Sequence, residues 1–364
     1  MKALESRFKL FRKCLWFLFL LNLLPLKAQM FLDSASISLA RKGIDNIYNL
    51  QFSNAREVII QLNRSFPDHP VVFLLRGILT YWENYPLVHI NPSHASFEED
   101  MHHCIKLSEE NSNPDYEIEY LLANLCARGM LLMFYADNDL TIEVIPLATT
   151  TYKYLRHSFE FNESCIDLNY FTGLYNYYRE AYPKVYPIYE SLAFLFPPGN
   201  LETGLRQLQK TAVNSVLLRA ESYFSLAWIC LYYENNYPES LYYGRTLHEL
   251  YPENLQYLAI YIKSLLLMKR YDEAEILISA SADKETKNYF QAQLIILKGI
   301  LQEKKYRNIK LAQEYFNQGI NEIFHESSHQ EISDDGSENK IPLEGFAGLG
   351  QFVGSSAQAH INAG

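Results

Sequence analysis

Two pairs of residues in the C-terminal half recur at one interval. Tyr237 and Tyr271 stand 34 positions apart, and so do Ser240 and Ala274, within NNYPESLYYGRTLHELYPEN and KRYDEAEILISASA. Pro252 lies 12 positions after Ser240, as Pro67 lies 12 after Ala55. A unit of this length accommodates two short helices and their turns, and such a unit hides its apolar face only by stacking on a neighbour. No other feature constrains the chain as much: it points to an array of helix pairs. The alternation of polar and apolar residues that marks a half-buried sheet is not sustained anywhere.

The N-terminal half repeats the arrangement. In GIDNIYNLQFSNAREVIIQLNRSFP, Gly43 is followed 9 positions later by Phe52, 12 later by Ala55 and 24 later by Pro67. Small residues let two helices cross closely, an aromatic fills the space beside the turn, and proline ends the second helix. This order resembles the tetratricopeptide repeat family. Counting 34 from Gly43 reaches Gly77 in VVFLLRGILTYW, the next first helix, with its second helix expected over Ala95–Ser108 after the loop around Pro86–Pro92. A last unit, Tyr289 to Phe324, has Tyr306 before Ala312, which lies 38 positions after Ala274. The resemblance covers residues 34–110 and 221–324, about half the chain. It implies an all-α solenoid of helix pairs wound as a right-handed superhelix. The later repeats are degenerate, since bulky Ile262 occupies a small position. Residues 114–215 carry helical apolar spacing in DYEIEYLLANLCARGMLLMFY and LATTTYKYLRHSFEF but leave the repeat period, so the centre reads as a degenerate helical region. At a few glycine, proline and aromatic positions it is similar to a eukaryotic tetratricopeptide family linked to clearing protein inclusions at mitochondria.

The termini read differently. Lys2, Arg7, Lys9, Arg12 and Lys13 precede an apolar run from Cys14 to Leu24, then Pro25 and Leu26-Lys27-Ala28. Basic start, short apolar core and small residue are the order of a signal peptide, and the run falls short of the roughly 20 residues that span a bilayer. The expected organisation is a signal peptide at 1–28, N-terminal helix pairs at 29–112, the central region at 113–215 and C-terminal repeats at 216–324. A polar loop at 325–340 (HESSHQEISDDGSENK) and a capping helix or half-repeat at 341–364 follow. Export to the periplasm, cell envelope or medium follows from the first segment, with the membrane touched only through that segment if it is not cleaved. The formal charge of −10 becomes −15 once residues 1–28, with six basic residues and one acid, are removed. So acidic a chain repels phosphate backbones, and nucleic acid is excluded as a partner.

Catalytic geometry cannot be assembled. There is no GxSxG, Walker A, CxxC or HExxH, and Glu98-Glu99-Asp100 and Asp334-Asp335 are adjacent, so they diverge on a helix or are solvated in a loop. His89, His94, His102, His103 and Cys104 crowd one stretch, but His102 and His103 face different sides of a helix and are read as ordinary histidines. Gly348, Gly350 and Gly354 are spaced GxGxxxG in a helical setting with no preceding strand. Cys104, Cys126, Cys165 and Cys230 sit among apolar neighbours and read as buried thiols. Neither cofactor nor metal is expected, and the chain is read as a non-enzymatic interaction scaffold that binds a protein or peptide on a concave face. The candidate groove residues are Arg76, Tyr81, Trp82, Tyr175, Tyr178, Arg179 and Tyr233, aromatic and arginine side chains being the types that dominate recognition surfaces. Tyr175, Tyr178 and Tyr182 share one helical face, which serves equally well as core between helices. The alternative is an outer-surface glycan binder, for which exposed Trp and Tyr platforms are the distinguishing feature.

Overall fold

A computed structural model describes residues 34–185, 187, 196–281 and 288–330. The segment 1–28 expected as a signal peptide, the end of the polar run, the segment 341–364 with its glycines, Tyr186 and Tyr189 lie outside those residues. Among the described residues there are fourteen α-helices and no strand. They pack as neighbouring pairs: α1 (Ser34–Tyr48) with α2 (Phe52–Ser65), α3 (Pro70–Glu83) with α4 (Ser93–Glu109), and α5 (Glu117–Asp137) with α6 (Thr141–Ser158). Then come α7 (Leu168–Val185) with α8 (Leu201–Asn214), α9 (Arg219–Tyr232) with α10 (Tyr237–Leu250), α11 (Leu255–Leu267) with α12 (Tyr271–Ser281), and α13 (Asn288–Lys304) with α14 (Ile309–Gln330). The first helices of successive pairs also touch: α1 on α3, α3 on α5, α9 on α11 and α11 on α13.

Local chemistry sets the boundaries. Pro70 opens α3, where a missing N–H costs nothing, and His69 Nδ1 accepts from the Val71 N–H. Asn200, Asn236 and Asn254 cap α8, α10 and α11 through their side-chain oxygens. Helix α9 is capped from a distance: the buried Asp167 carboxylate accepts the N–H groups of Val216, Leu217 and Leu218 at 2.8–3.1 Å. Five turns between paired helices share one left-handed residue, Leu50, Asp139, Asn235, Lys269 and Arg307, with φ from 51° to 60°. After each, an N–H reaches back to a carbonyl five or six residues earlier, as in Gln51 to Asn46 and Arg270 to Leu265. These links satisfy the orphan carbonyls of the first helix.

The first helices α3, α5, α9 and α11 are more deeply buried than the second helices they pair with, whereas α1 and α7 bury one face only. Ten of the 13 residues of α11 are buried, against four of 14 in α2. Pro114–Asp137 is long and apolar enough to cross a membrane, and here it is a core helix packed between α3, α4 and α6. The centre keeps the pairing but stretches it, because α5, α6 and α7 are longer. The step from the start of α5 at Glu117 to that of α7 at Leu168 is wider than the step from α9 at Arg219 to α11 at Leu255. At the C-terminal end, α14 continues to Gln330, so the start of the run expected as a loop is helical.

The array closes on itself. Asp45 of α1 accepts from Tyr251 Oη at 2.7 Å and pairs with Arg219 of α9 at 3.2 Å. Asn254 Nδ2 donates to the Tyr48 carbonyl at 2.8 Å. Rings continue the seam: Tyr48 meets Tyr251 and Tyr257, Trp82 stacks on Tyr85 with centroids 5.0 Å apart, and Tyr85 stacks on Phe290 at 5.8 Å. One hydrophobic cluster therefore runs from Ala40 to Ile260, and a second covers Leu241 to Phe316. Tyrosine rings such as Tyr48, Tyr85 and Tyr251 join repeats far apart in sequence, and the Tyr251 hydroxyl keeps a partner in Asp45.

Candidate functional site

A groove of about 460 Å³ opens between α2 and α4, with α3 as its floor. Its lining falls on helical stripes. Arg56, Ile59, Ile60 and Asn63 come from one face of α2, and Arg76, Leu79, Thr80 and Glu83 from one face of α3; Ser96 and Asp100 come from α4. Both stripes lie beside the small residues at which helices cross. Arg56 follows the fully buried Ala55, and Arg76 precedes Gly77, where a Cβ would sit 2.0 Å from the Met101 methyl. The crossing residue turned inward forces its neighbour outward, into the groove.

Two ion pairs tie the walls together, Arg56 to Glu83 between α2 and α3, and Arg76 to Asp100 at 3.0 Å between α3 and α4. The acids lie beneath and the guanidinium groups above: the side chains of Glu83 and Asp100 are 21% and 6% exposed, those of Arg56 and Arg76 55% and 46%. Burial pushes the Asp100 carboxyl up to about 6, with Arg76 pulling it down and Glu99 adding to the rise. One turn from Arg56 on the same wall, Ile60 stands 51% exposed. The groove thus presents the exposed Ile60 side chain beside two half-exposed guanidinium groups, over buried Ile59 and Leu79.

The seven residues expected to form a groove do not form one surface. Arg76 lines the groove just described and also lies over the Phe73 ring at 5.4 Å. Tyr81 is buried against Trp82, Tyr85 and Phe97, and Trp82 belongs to the seam that closes the array. Tyr175 and Arg179 hold the chain after α7: Tyr175 Oη donates to the Pro197 carbonyl at 2.6 Å, and Arg179 Nη2 to that of Phe196 at 3.1 Å. Tyr178 and Tyr233 are brought together, edge to face at 5.2 Å, where α7 meets the end of α9. Arg56, Ile60 and Asp100 were missed; their signal was adjacency to a crossing residue, or ion-pair reach from one.

The histidine stretch disperses. His94 Nδ1 lies 2.8 Å from the Asn91 carbonyl, His102 Nε2 lies 3.3 Å from Tyr135 Oη, and the His103 ring packs on Phe73 at 4.2 Å. Among the described residues no group of three or more His, Cys, Asp or Glu side chains is placed to hold a metal ion. Cys104, Cys126 and Cys230 are buried free thiols and Cys165 is half-buried; burial pushes Cys165 up to about 11, away from thiolate chemistry. Compared with family models, curated proteins and solved structures, the chain matches none.

Proposed function

We propose that this chain is an exported, non-catalytic scaffold of tetratricopeptide type that holds a protein or peptide segment on its helical array. The repeat reading is supported by the stacking of first helix on first helix and by the left-handed turn that recurs after α1, α5, α9, α11 and α13. The right-handed superhelical path belongs to the same proposal, as what the repeat resemblance implies. In this closed array the inner faces meet one another, so the groove between α2 and α4 takes the role first expected of a concave face. The observation that carries the reading is the half-exposed Ile60 side chain sharing the groove with two half-exposed arginines: apolar contact for affinity, fixed donors for register. Rigid helices line it on three sides, so little ordering entropy opposes binding.

The glycan alternative calls for open aromatic platforms. Trp82 packs on Tyr85 and Trp228 on Tyr232, neither standing free in solvent, so the groove reading is preferred.

Photo-crosslinking in the native cell envelope tests it. A photoreactive phenylalanine analogue at Ile60 or Thr80 should yield a discrete adduct, whereas the same group at Ile276, 67% exposed on α12, should not. Adducts absent from both groove positions, or identical at Ile276, would sink the reading.

A further inference from the structure

The groove has a polarity of its own. Each guanidinium carries five N–H donors, and the ion pairs engage Nη2 of Arg56 and Nη2 of Arg76. The remaining donors belong to side chains about half exposed, above acids that are far more covered. A segment approaching from solvent therefore meets cationic edges first. The chain around them is acidic, −10 in full and −15 without residues 1–28, so extended polyanions are held off while a short acidic segment can still reach two fixed guanidinium groups.

We propose that the segment bound in this groove is an acidic peptide, with carboxylates over Arg56 and Arg76 and an apolar side chain on Ile60. This rests on the scaffold reading above. A corollary follows at Asp100. The charged and titratable groups facing it are Arg76 on α3, Glu99, His103 and the Cys104 thiol on α4, and Arg56 and Glu83 across the groove. As pH falls through about 6, Asp100 takes up a proton and releases Arg76 from its internal acid. Glutamates of a peptide, with ordinary values near 4.3, remain ionised, so the complex tightens.

Fluorescence anisotropy with the full-length protein tests this. The probes are three labelled 12-residue peptides with leucines at the same positions and glutamate, glutamine or lysine elsewhere. The glutamate peptide should bind best, and Arg56→Gln or Arg76→Gln should weaken it about tenfold, each lost charge-assisted contact accounting for about one decade. Its affinity should rise severalfold from pH 7.5 to 5.5. Asp100→Asn should bind tightly at both values, whereas His103→Gln should keep the dependence. Preference for the lysine or glutamine peptide, equal binding of all three, no binding, or indifference to both arginine substitutions overturns the proposal. An adduct at Ile60 that maps to a basic or neutral partner segment overturns it while leaving the scaffold reading intact; absence of any adduct removes the scaffold reading itself.

Discussion

Ala274 and Ser240 show how one position in a repeat is chosen by space. Both are fully buried, on α12 and α10. Ser240 keeps its hydroxyl there only because Oγ lies 2.9 Å from both the Ala227 carbonyl and Ser264 Oγ, so it is buried with partners. Ala274 has no such atom to satisfy, and its methyl group fills the site. Ala274→Leu should therefore destabilise the protein by about 1–3 kcal/mol through overpacking. The adjacent Glu273, 48% exposed and paired with Arg270, should tolerate Glu273→Ala within about 0.5 kcal/mol. Denaturant midpoints decide; a parental midpoint for Ala274→Leu would mean that this position is not a close crossing. The same spatial rule acts at α7 and α8, where a Cβ on Gly204 would lie 2.7 Å from the Tyr177 nitrogen.

At the scale of elements, the turns carry the repeat better than the helices do. Five of them place a non-glycine residue in the left-handed region, at an intrinsic cost of roughly 1–2 kcal/mol each. The cost is accepted because the N–H groups that follow reach the free carbonyls of the preceding helix. Lys269 is an exposed example with φ of 60°. Lys269→Gly should raise stability by about 0.5–1 kcal/mol, and Lys269→Val should lower it, since a β-branched side chain fits this conformation worst. Thermal unfolding of the two variants checks the pair, and a loss of stability on Lys269→Gly would contradict the turn geometry.

For the whole molecule, the consequential contacts lie between repeats far apart in sequence. Glu221, in the first turn of α9, sits near Asp45 of α1, and its Oε2 is buried without a hydrogen-bond partner. Burial pushes its carboxyl from an ordinary 4.5 up to about 8, and Asp45 adds to the rise. A carboxyl raised in the folded state binds its proton more tightly there than in the unfolded chain. Unfolding then releases a proton, and stability falls as pH rises from about 4.5 to about 8, levelling above that. Asp100 contributes with the same sign but only up to about 6, and the buried Asp167, raised as well, acts alike in parent and variant, so their difference between pH 6 and 8 reports Glu221. Lys263, whose buried amine is lowered to about 8, acts in the opposite direction above that value. Glu221→Gln should flatten the loss between pH 6 and 8, a difference on the order of 2 kcal/mol, measured by chemical denaturation at each pH. Parallel slopes for parent and variant would show that the seam does not bury this carboxyl.

The all-helical class, the pairing and the inward-facing small residues Gly43, Ala55, Gly77, Ser240 and Ala274 were legible in the sequence. Steric limits at a crossing act on single residues at a fixed interval, so they leave a periodic trace. The central pairs left no such trace because α5, α6 and α7 are longer, and added helical turns shift the interval without disturbing the pairing. The left-handed turns were hidden as well: Leu50, Lys269 and Arg307 are not residues that announce a positive φ. Tertiary structure alone decided the site. Whether an aromatic on a helical face meets solvent, a neighbouring helix or a distant repeat depends on how the array curves, and Trp82 and Tyr178 both turned out to be packed against other rings. The curvature is fixed by contacts such as Asp45 to Arg219, 174 residues apart, and no local rule of spacing encodes a separation of that length.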